Sequence, residues 1–280
     1  MDIKSILKKK FVKIEKEKVL IPCYQGNLLK EKYALVTGGS SGIGYAITKS
    51  FLNNGAYVTI CGRNSDKLFR AKNNLVQACK CSSERIELLE LDISDVLGMK
   101  KILSNYIENK KIDIFVNNAG VNGGNLFPNT SEEEYDRILE TNLKGMYFVS
   151  QEIAKYMVTN NIQGNILNIT SSSALRPGIS PYIISQWGER SLTLGMAKKY
   201  LPYGIVVNGL APGSTLTPML RNDKDDNLNL DYSPSKRYIV PEEIGNLATI
   251  LVSDMGRMVV GDTIYATGGA GVITYDDATY

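Results

Sequence analysis

Short runs of apolar residues recur along the chain from Tyr33 onwards, and each is followed by a longer stretch with helical spacing of its apolar positions. Such nearly continuous apolar runs are typical of strands that are buried on both faces of a parallel sheet. Right-handed crossovers then predict an α/β fold, a doubly wound sheet with helices on both faces. The seven candidate strands are residues 33–37, 57–61, 86–91, 112–116, 165–169, 204–208 and 263–266.

The first part of the chain lacks this alternation. Residues 1–30 contain Lys8-Lys9-Lys10 and then alternating lysine and glutamate, which predicts a basic N-terminal extension. A solvated polar segment is one interpretation, and a membrane-surface segment is the other, although lipid binding requires a stronger apolar face. No repeat or long linker interrupts residues 31–280, so we expect a single domain there.

Composition narrows the possible functions. The chain has 280 residues, of which 43% are hydrophobic, and its net charge of +3 is too small to indicate a nucleic-acid partner. The sequence contains no run of about 18 apolar residues, so no membrane span is predicted. Four cysteines without Cys-x-x-Cys spacing indicate reduced thiols in a cytoplasmic protein. They are Cys23, Cys61, Cys79 and Cys81.

The chain contains no histidine. This excludes the Ser-His-Asp hydrolases, the His-x-Glu deaminases and the His-Glu-x-x-His proteases. Any proton transfer must therefore use Tyr, Lys, Asp, Glu or Cys side chains. No metal site is expected.

A glycine-rich segment joins the first strand to the first helix, with the sequence Thr37-Gly38-Gly39-Ser40-Ser41-Gly42-Ile43-Gly44. Glycines at this place let backbone N–H groups approach a pyrophosphate at the helix N-terminus, whereas a Cβ would block the approach. A tight turn is the alternative interpretation. The candidate cofactor-binding residues here are Gly38, Ser40, Ser41, Gly42, Ile43 and Gly44.

Polar residues follow the next three strands. The second strand ends in Arg63 and Asn64 without an acidic residue for a ribose 2′-hydroxyl, so Arg63 favours the 2′-phosphate of NADP(H) over NAD(H). An exposed arginine at a strand end is the alternative. Asp92 and Ile93 are candidates for the adenine edge. The fourth strand leads into Asn118, Ala119 and Gly120, which are small enough to line the cofactor site.

These motifs resemble, in their order along the chain, the short-chain dehydrogenase/reductase family, over about residues 30–275. The resemblance rests on Thr37-Gly38-x-x-x-Gly42-x-Gly44, Asn117-Asn118-Ala119-Gly120, Asn142, Ser171, Tyr182 and Pro212-Gly213. It implies a Rossmann-like sheet of about seven strands, bound NAD(P)(H), and often a homotetramer built on the helices that contain Asn142 and Tyr182.

The resemblance also assigns roles at the reaction centre. It implies that Tyr182 is the acid/base, that Ser171 polarises the substrate carbonyl, and that Asn142 supports a proton relay. Ser172 and Ser173 adjoin Ser171 and are alternatives to it. The loop after the sixth strand is expected to cover the nicotinamide, and its candidate cofactor contacts are Pro212, Gly213, Thr215 and Thr217.

The family's lysine position, four residues after Tyr182, is occupied by Gln186. Positions 182 and 186 share a helix face, so the amide is expected to point toward the nicotinamide ribose, but it carries no charge. Losing a cation that lowers the tyrosine pKa by about 1–3 units slows proton transfer by roughly 10- to 1000-fold. Three readings remain: a slow natural enzyme, a variant of an active parent, or a non-catalytic NADP(H)-binding protein.

The sequence says less about the substrate than about the cofactor. Residues 222–235 are strongly polar and predict either a mobile lid or a solvated surface loop. A lid of this kind favours a small polar carbonyl/alcohol substrate. Aromatic residues on the two presumed contact helices are expected to pack rather than to stack on substrate. They are Tyr147, Phe148, Tyr156 and Trp187.

Overall fold

The computed structural model describes residues 26–108, 110–123, 125–219 and 228–274. Most of the proposed N-terminal extension therefore lies outside the described residues, as do residues 222–227 of the polar segment. The described residues before the first strand lie against the domain. Leu29 is 1% exposed, and its backbone N–H donates to the Asn54 carbonyl at 2.9 Å.

Seven parallel strands form one sheet in the order β3-β2-β1-β4-β5-β6-β7, which confirms the predicted doubly wound architecture. The order reverses between β1 and β4, the two strands that run side by side at the centre. The strands are β1 Tyr33–Thr37, β2 Tyr57–Gly62, β3 Ile86–Glu90, β4 Ile114–Asn117, β5 Asn165–Ile169, β6 Val206–Pro212 and β7 Thr263–Ala266.

Seven α-helices alternate with these strands within the described ranges. A single π-helical turn, Glu140–Gly145, precedes the fifth helix. The helices are α1 Gly42–Asn53, α2 Ser65–Cys79, α3 Val96–Ile107, α4 Glu132–Leu139, α5 Met146–Thr159, α6 Pro181–Tyr200 and α7 Pro241–Val252. None of the described helices has the length and apolar character that a bilayer crossing requires.

The sheet separates two apolar cores. Alternate side chains of a strand point to opposite faces, so Ala34 and Val36 of β1 join the core that includes Phe51 of α1. Leu35, between them, belongs to the other core, together with Val149 of α5. Because both faces are covered, apolar residues fill most positions of the central strands, and the polar residues among them are largely buried.

The sixth strand differs from its predicted span of residues 204–208. Gly204 has a left-handed backbone (φ 75°) that ends the turn after α6, so the strand begins only at Val206. It then continues to Pro212, because Gly209 to Pro212 pair with β7. The prediction missed this extension because Gly209 and Pro212 are weak strand formers in isolation.

The α1 side of the sheet provides a direct stability test. Phe51 is fully buried, so Phe51→Ala leaves a cavity and is expected to lower the free energy of unfolding by about 3–5 kcal/mol. Phe69→Ala on α2 is the matched control, because Phe69 is 59% exposed. Urea denaturation measures both, and equal losses for the two variants would contradict the assigned core.

Candidate active site

A crevice opens at the carboxyl ends of the strands, where the strand order reverses between β1 and β4. The loops that follow these two strands diverge there, which is the usual ligand site of an open α/β sheet. The cavity has a volume of about 370 Å³. Sixteen of the predicted site residues line it: Gly38, Ser40, Ser41, Gly42, Ile43, Arg63, Asn64, Asp92, Ile93, Asn118, Ala119, Gly120, Asn142, Tyr182, Gln186 and Thr217.

Five predicted residues do not line this cavity. Gly44 and Ser171 each adjoin a residue that does, whereas Pro212, Gly213 and Thr215 lie at the end of β6 and in the loop that leads to Thr217. All five act within the loops that shape the cavity, through contacts described below.

The glycine loop is shaped by backbone conformation and close packing. Gly38 (φ 67°) and Gly42 (φ 55°) are left-handed, which side chains with a Cβ rarely tolerate. At Gly44 a Cβ would lie 2.4 Å from the Gly38 carbonyl oxygen and 2.4 Å from Asn118 Nδ2. The start of α1 can therefore approach the loop only with glycine at position 44.

The β1 and β4 loops are fastened to each other through Thr37 and Asn118. The Thr37 hydroxyl accepts from the backbone N–H groups of Asn118 (2.9 Å) and Ala119 (3.0 Å). The Asn118 side chain donates back to the Thr37 carbonyl at 2.9 Å. Asn118 thus fixes the separation of the two loops on either side of the crevice.

Basic residues lie at one end of the crevice, here called the outer end, which is lined by residues that follow β2 and β3. Arg63 is exposed, and its Nη1 lies 3.9 Å from Oδ2 of Asp92. Asn64 caps α2 by accepting from the Lys67 backbone N–H at 2.8 Å. Lys67 also lines the cavity, although the sequence analysis did not single it out. The only signal for it was a basic residue in the first turn of the helix after Arg63.

Tyr182 and Ser171 form the reactive pair at the inner end. Burial raises the pKa of Tyr182 to about 12, and the neighbouring Ser171 side chain opposes this rise only in part. The Ser171 hydroxyl donates to the Ser173 hydroxyl at 3.2 Å. The Ser171 hydroxyl also accepts from the Ser173 backbone N–H at 3.1 Å. Ser172 is 5% exposed. Of the three serines, Ser171 is the one whose side chain affects the pKa of Tyr182.

Asn142 lies in the π-helical turn beside this pair and is 2% exposed. Its Oδ1 accepts from the Val121 backbone N–H at 2.8 Å, and its Nδ2 donates to the Val121 carbonyl at 2.9 Å. A longer contact, 3.3 Å, joins Nδ2 to the Ser185 hydroxyl. These bonds hold the loop after β4 against α6.

Gln186 is buried one turn after Tyr182 on α6, whose first turn is capped by Ser180. Its Nε2 donates to Glu189 Oε1 at 2.7 Å, and its Oε1 accepts from the Thr170 hydroxyl at 3.0 Å. Both polar atoms of the amide therefore have partners within the protein. Glu189 and Thr170 also line the cavity and were not predicted from the sequence.

The loop after β6 closes the crevice from the side of α1. The Gly213 N–H donates to the Ala266 carbonyl at 3.0 Å, and the buried Thr215 hydroxyl donates to the Gly213 carbonyl at 3.0 Å. These bonds fix the loop that follows Pro212, the last residue of β6. They bring Thr217 into the cavity, close to the space above Gly42.

The crevice fits an extended nucleotide cofactor better than a metal ion. The described ranges contain no cluster of three potential metal ligands. They do provide a glycine cradle, a cationic outer end and a hydroxyl pair at the inner end. A dinucleotide requires this combination, because its phosphates need backbone N–H groups and its reactive ring needs a proton donor.

The close approach at Gly44 is testable through stability. Gly44→Ala places a methyl group 2.4 Å from backbone, so we expect a loss of about 1–3 kcal/mol in the free energy of unfolding. Gly195→Ala on α6 is the control, because its Cβ meets nothing within 4 Å; it is expected to be neutral or to gain about 0.5–1 kcal/mol. Thermal denaturation compares the two, and an unchanged Gly44→Ala protein would contradict the packing.

Comparison with known proteins agrees with this architecture. The family model described as short chain dehydrogenase matches residues 32–228. The chain is 32% identical to gluconate 5-dehydrogenase of Gluconobacter oxydans, over 84% of this chain and 93% of that protein. It is 31% identical to a 3-oxoacyl-[acyl-carrier-protein] reductase of Chlamydia pneumoniae, over 85% of this chain and 96% of that protein.

A solved structure gives the same result. The 3-ketoacyl-(acyl-carrier-protein) reductase of Brucella melitensis, complexed with NADH, superposes with a TM-score of 0.77 at 27% identity. The match covers 87% of this chain and all of that chain. The protein therefore belongs to the short chain dehydrogenase family, and with it to the NAD(P)-dependent oxidoreductases.

Proposed function

We propose that the protein is an NADP(H)-dependent oxidoreductase that interconverts a small polar carbonyl compound and its alcohol. The observation that carries this proposal is the position of the Ser171 and Tyr182 side chains beside each other at the inner end of the crevice, where Ser171 lowers and burial raises the pKa of the Tyr182 phenol. Two hydroxyl groups that converge there are suited to hold one substrate oxygen and to exchange a proton with it.

We assign a role in the reaction to each of these residues from its position. When bound, the nicotinamide supplies or accepts the hydride. Ser171 donates a hydrogen bond to the substrate oxygen, and Tyr182 gives it a proton in reduction or removes one in oxidation. Asn142 holds the neighbouring loop in place and offers a polar path away from Tyr182. Gln186 keeps the helix face of Tyr182 next to Thr170.

The remaining predicted residues are assigned to cofactor binding. Gly38 to Gly44 form the phosphate cradle, Asp92 and Ile93 flank the adenine, and Asn118 to Gly120 form the opposite wall. Thr217 covers the cofactor from the loop that Pro212, Gly213 and Thr215 support.

Preference for NADP(H) rests on the charge at the outer end. Arg63 is exposed and interacts with Asp92 at only 3.9 Å, so it is available to a 2′-phosphate, and Lys67 supplies a second cation nearby. An exposed ion pair of that length contributes little, so a phosphate displaces Asp92 at small cost.

For the substrate, we infer a sugar acid or a related polar hydroxy-ketone. One relative is named for its action on gluconate. Other relatives are named for reduction of 3-oxoacyl groups on a carrier protein, so an acyl thioester belongs in the same substrate panel.

A second candidate is a non-catalytic NADP(H)-binding protein that acts through an oligomer or a partner. Two observations favour it: the pKa of Tyr182 is raised to about 12, and both polar atoms of Gln186 already have protein partners. Lys198 and Lys199 are exposed and lie three turns further along α6, roughly 18 Å away, so they cannot replace the missing cation. Tyr147 and Trp187 remain 48% and 43% exposed on α5 and α6, which suits a homo-oligomeric contact.

Cofactor preference is tested by titrating the protein with NADPH and with NADH while following the quenching of protein fluorescence. We expect NADPH to bind more tightly. Arg63→Ala is expected to raise the Kd of NADPH by about 10- to 100-fold, because a charge-assisted phosphate contact is lost, and to leave NADH nearly unchanged. Arg70→Ala, at an exposed α2 position outside the cavity, is the control. Equal losses for both nucleotides would contradict a 2′-phosphate contact.

Catalysis is tested with variants that place a lysine ammonium at position 186, next to Tyr182. A lysine at position 186 alone would place its ammonium beside Glu189 and form an ion pair, so the single variant is expected to gain little. The double variant Gln186→Lys/Glu189→Leu leaves the ammonium free to act on Tyr182. We expect about a 10-fold or greater gain in kcat, and an apparent pKa for alcohol oxidation lower by about 1–3 units than that of the unaltered protein.

The control adds Tyr182→Phe to the double variant, which is expected to remove the gain. Turnover is followed by NADPH absorbance across a panel of hydroxy-ketones, sugar acids and acyl thioesters. If NADPH binds but neither the unaltered protein nor the double variant turns over any member of the panel, the non-catalytic function is favoured.

A further inference from the structure

A carboxyl group lies at the inner end of the crevice in addition to the residues assigned above. Glu189 is 4% exposed and lies on α6 one turn after Gln186. It lines the cavity together with Thr170, Tyr182 and Gln186. Carboxyl groups are rarely buried this deeply without a basic partner, because removing the charge from water is costly.

No basic partner is present among the described residues. Glu189 takes part in none of the ion pairs found there, and its polar neighbours are the uncharged Gln186 and Thr170. The next residue, Arg190, points elsewhere: it donates to the Ala174 carbonyl at 3.4 Å and lies over the rings of Trp187 and Tyr265.

Burial raises the pKa of Glu189 well above the ordinary carboxyl value, and the hydrogen bond from Gln186 together with the nearby Thr170 hydroxyl offsets this only in part. The one titratable group facing it whose pKa it perturbs is Tyr182, on its own helix, and a glutamate charge raises the pKa of that phenol. Thr170, at the end of β5, contributes only a hydroxyl. Burial without a neighbouring cation therefore disfavours the charged form of Glu189.

We propose that Glu189 makes the crevice select the oxidised cofactor, by releasing its proton to solvent when a positively charged nicotinamide ring binds beside it. The proposal rests on the proposed function, because it requires that the crevice hold a nicotinamide cofactor. The neutral acid and the cationic ring enter as separate species. A carboxylate next to the cation and one solvated proton result, so charge and atoms balance.

The physical argument depends on the difference between the two redox states of the cofactor. An opposite charge within about 4–6 Å lowers a carboxyl pKa by about 1–3 units, so the oxidised ring favours ionised Glu189. The reduced ring is neutral and provides no such attraction. In a low-dielectric site with no competing cation, this interaction is screened only weakly.

The consequence is a pH dependence that differs between the two nucleotides. The Kd of NADP⁺ is expected to fall as pH rises, because ionised Glu189 becomes available at lower cost. The Kd of NADPH gains nothing from that ionisation. Between pH 6 and pH 9.5 we expect the ratio of the NADP⁺ Kd to the NADPH Kd to fall by at least about tenfold.

Isothermal titration calorimetry measures this directly. Each nucleotide is titrated into the protein at one pH in two buffers of different ionisation enthalpy, and the heat difference gives the number of protons released. The 2′-phosphate is common to both nucleotides, so its protons cancel in the comparison. We expect NADP⁺ to release more protons than NADPH, and the Kd ratio to follow the course given above from pH 6 to pH 9.5.

Two variants accompany the unaltered protein. Glu189→Gln keeps the size and hydrogen-bonding capacity of the side chain but cannot ionise, so the difference in proton release between the two nucleotides should vanish. Glu132→Gln, at an exposed position in the first turn of α4, should leave that difference unchanged.

Three results overturn the inference. Equal proton release for NADP⁺ and NADPH by the unaltered protein shows that Glu189 only supports Gln186, and this comparison needs no variant to fold. A difference that persists in Glu189→Gln assigns the proton to another group. Binding of neither nucleotide ends the proposed function and this inference together, whereas binding of both with equal proton release ends the inference alone.

Discussion

The hydroxyl of Thr37 fixes the geometry on which the crevice depends. It lies at the end of β1, is fully buried, and accepts two backbone N–H groups from the loop after β4. Both loops leave the sheet at the point where the strand order reverses, and they would separate or collapse without a bridge between them. With that bridge in place, the glycine cradle and the segment Asn118, Ala119 and Gly120 line the same cavity.

The inner end of the crevice is arranged around charge rather than shape. A lysine at position 186 would present a cation to Tyr182, whereas this chain presents an amide whose nitrogen is bound to a buried acid. Tyr182 and Gln186 are four residues apart on α6, so their side chains share a face of the helix. The raised pKa of Tyr182 has its physical basis here, since burial acts on the phenol without a cation to oppose it.

Much of this architecture could be predicted from the sequence, because the pattern of buried strands and the glycine spacing are local properties. The seven strands were found in the correct order along the chain, and errors occurred at their ends, as at β6, where pairing with β7 extends the strand through Gly209 to Pro212. Such extensions depend on a neighbour that is distant in sequence.

The site was predicted less completely for a related reason. Glu189 and Thr170 meet Gln186 only after β5 and α6 pack together, and no local pattern reports that contact. One signal was nevertheless present. Ile183, Gln186 and Thr193 repeat along the buried face of α6, and Glu189 continues the same face, so an acidic residue within a buried helical stripe was visible before folding was considered.

The 2.7 Å contact between Gln186 and Glu189 also restricts how sequences can change at this site. In a chain with lysine at position 186 and glutamate at position 189, the two side chains form a buried ion pair. The lysine ammonium is then not available to Tyr182. A chain with glutamine and an aliphatic residue leaves an amide hydrogen without a partner in the core. Each single exchange therefore gives a poorer site, so we expect the residues at positions 186 and 189 to be favourable only in matched combinations.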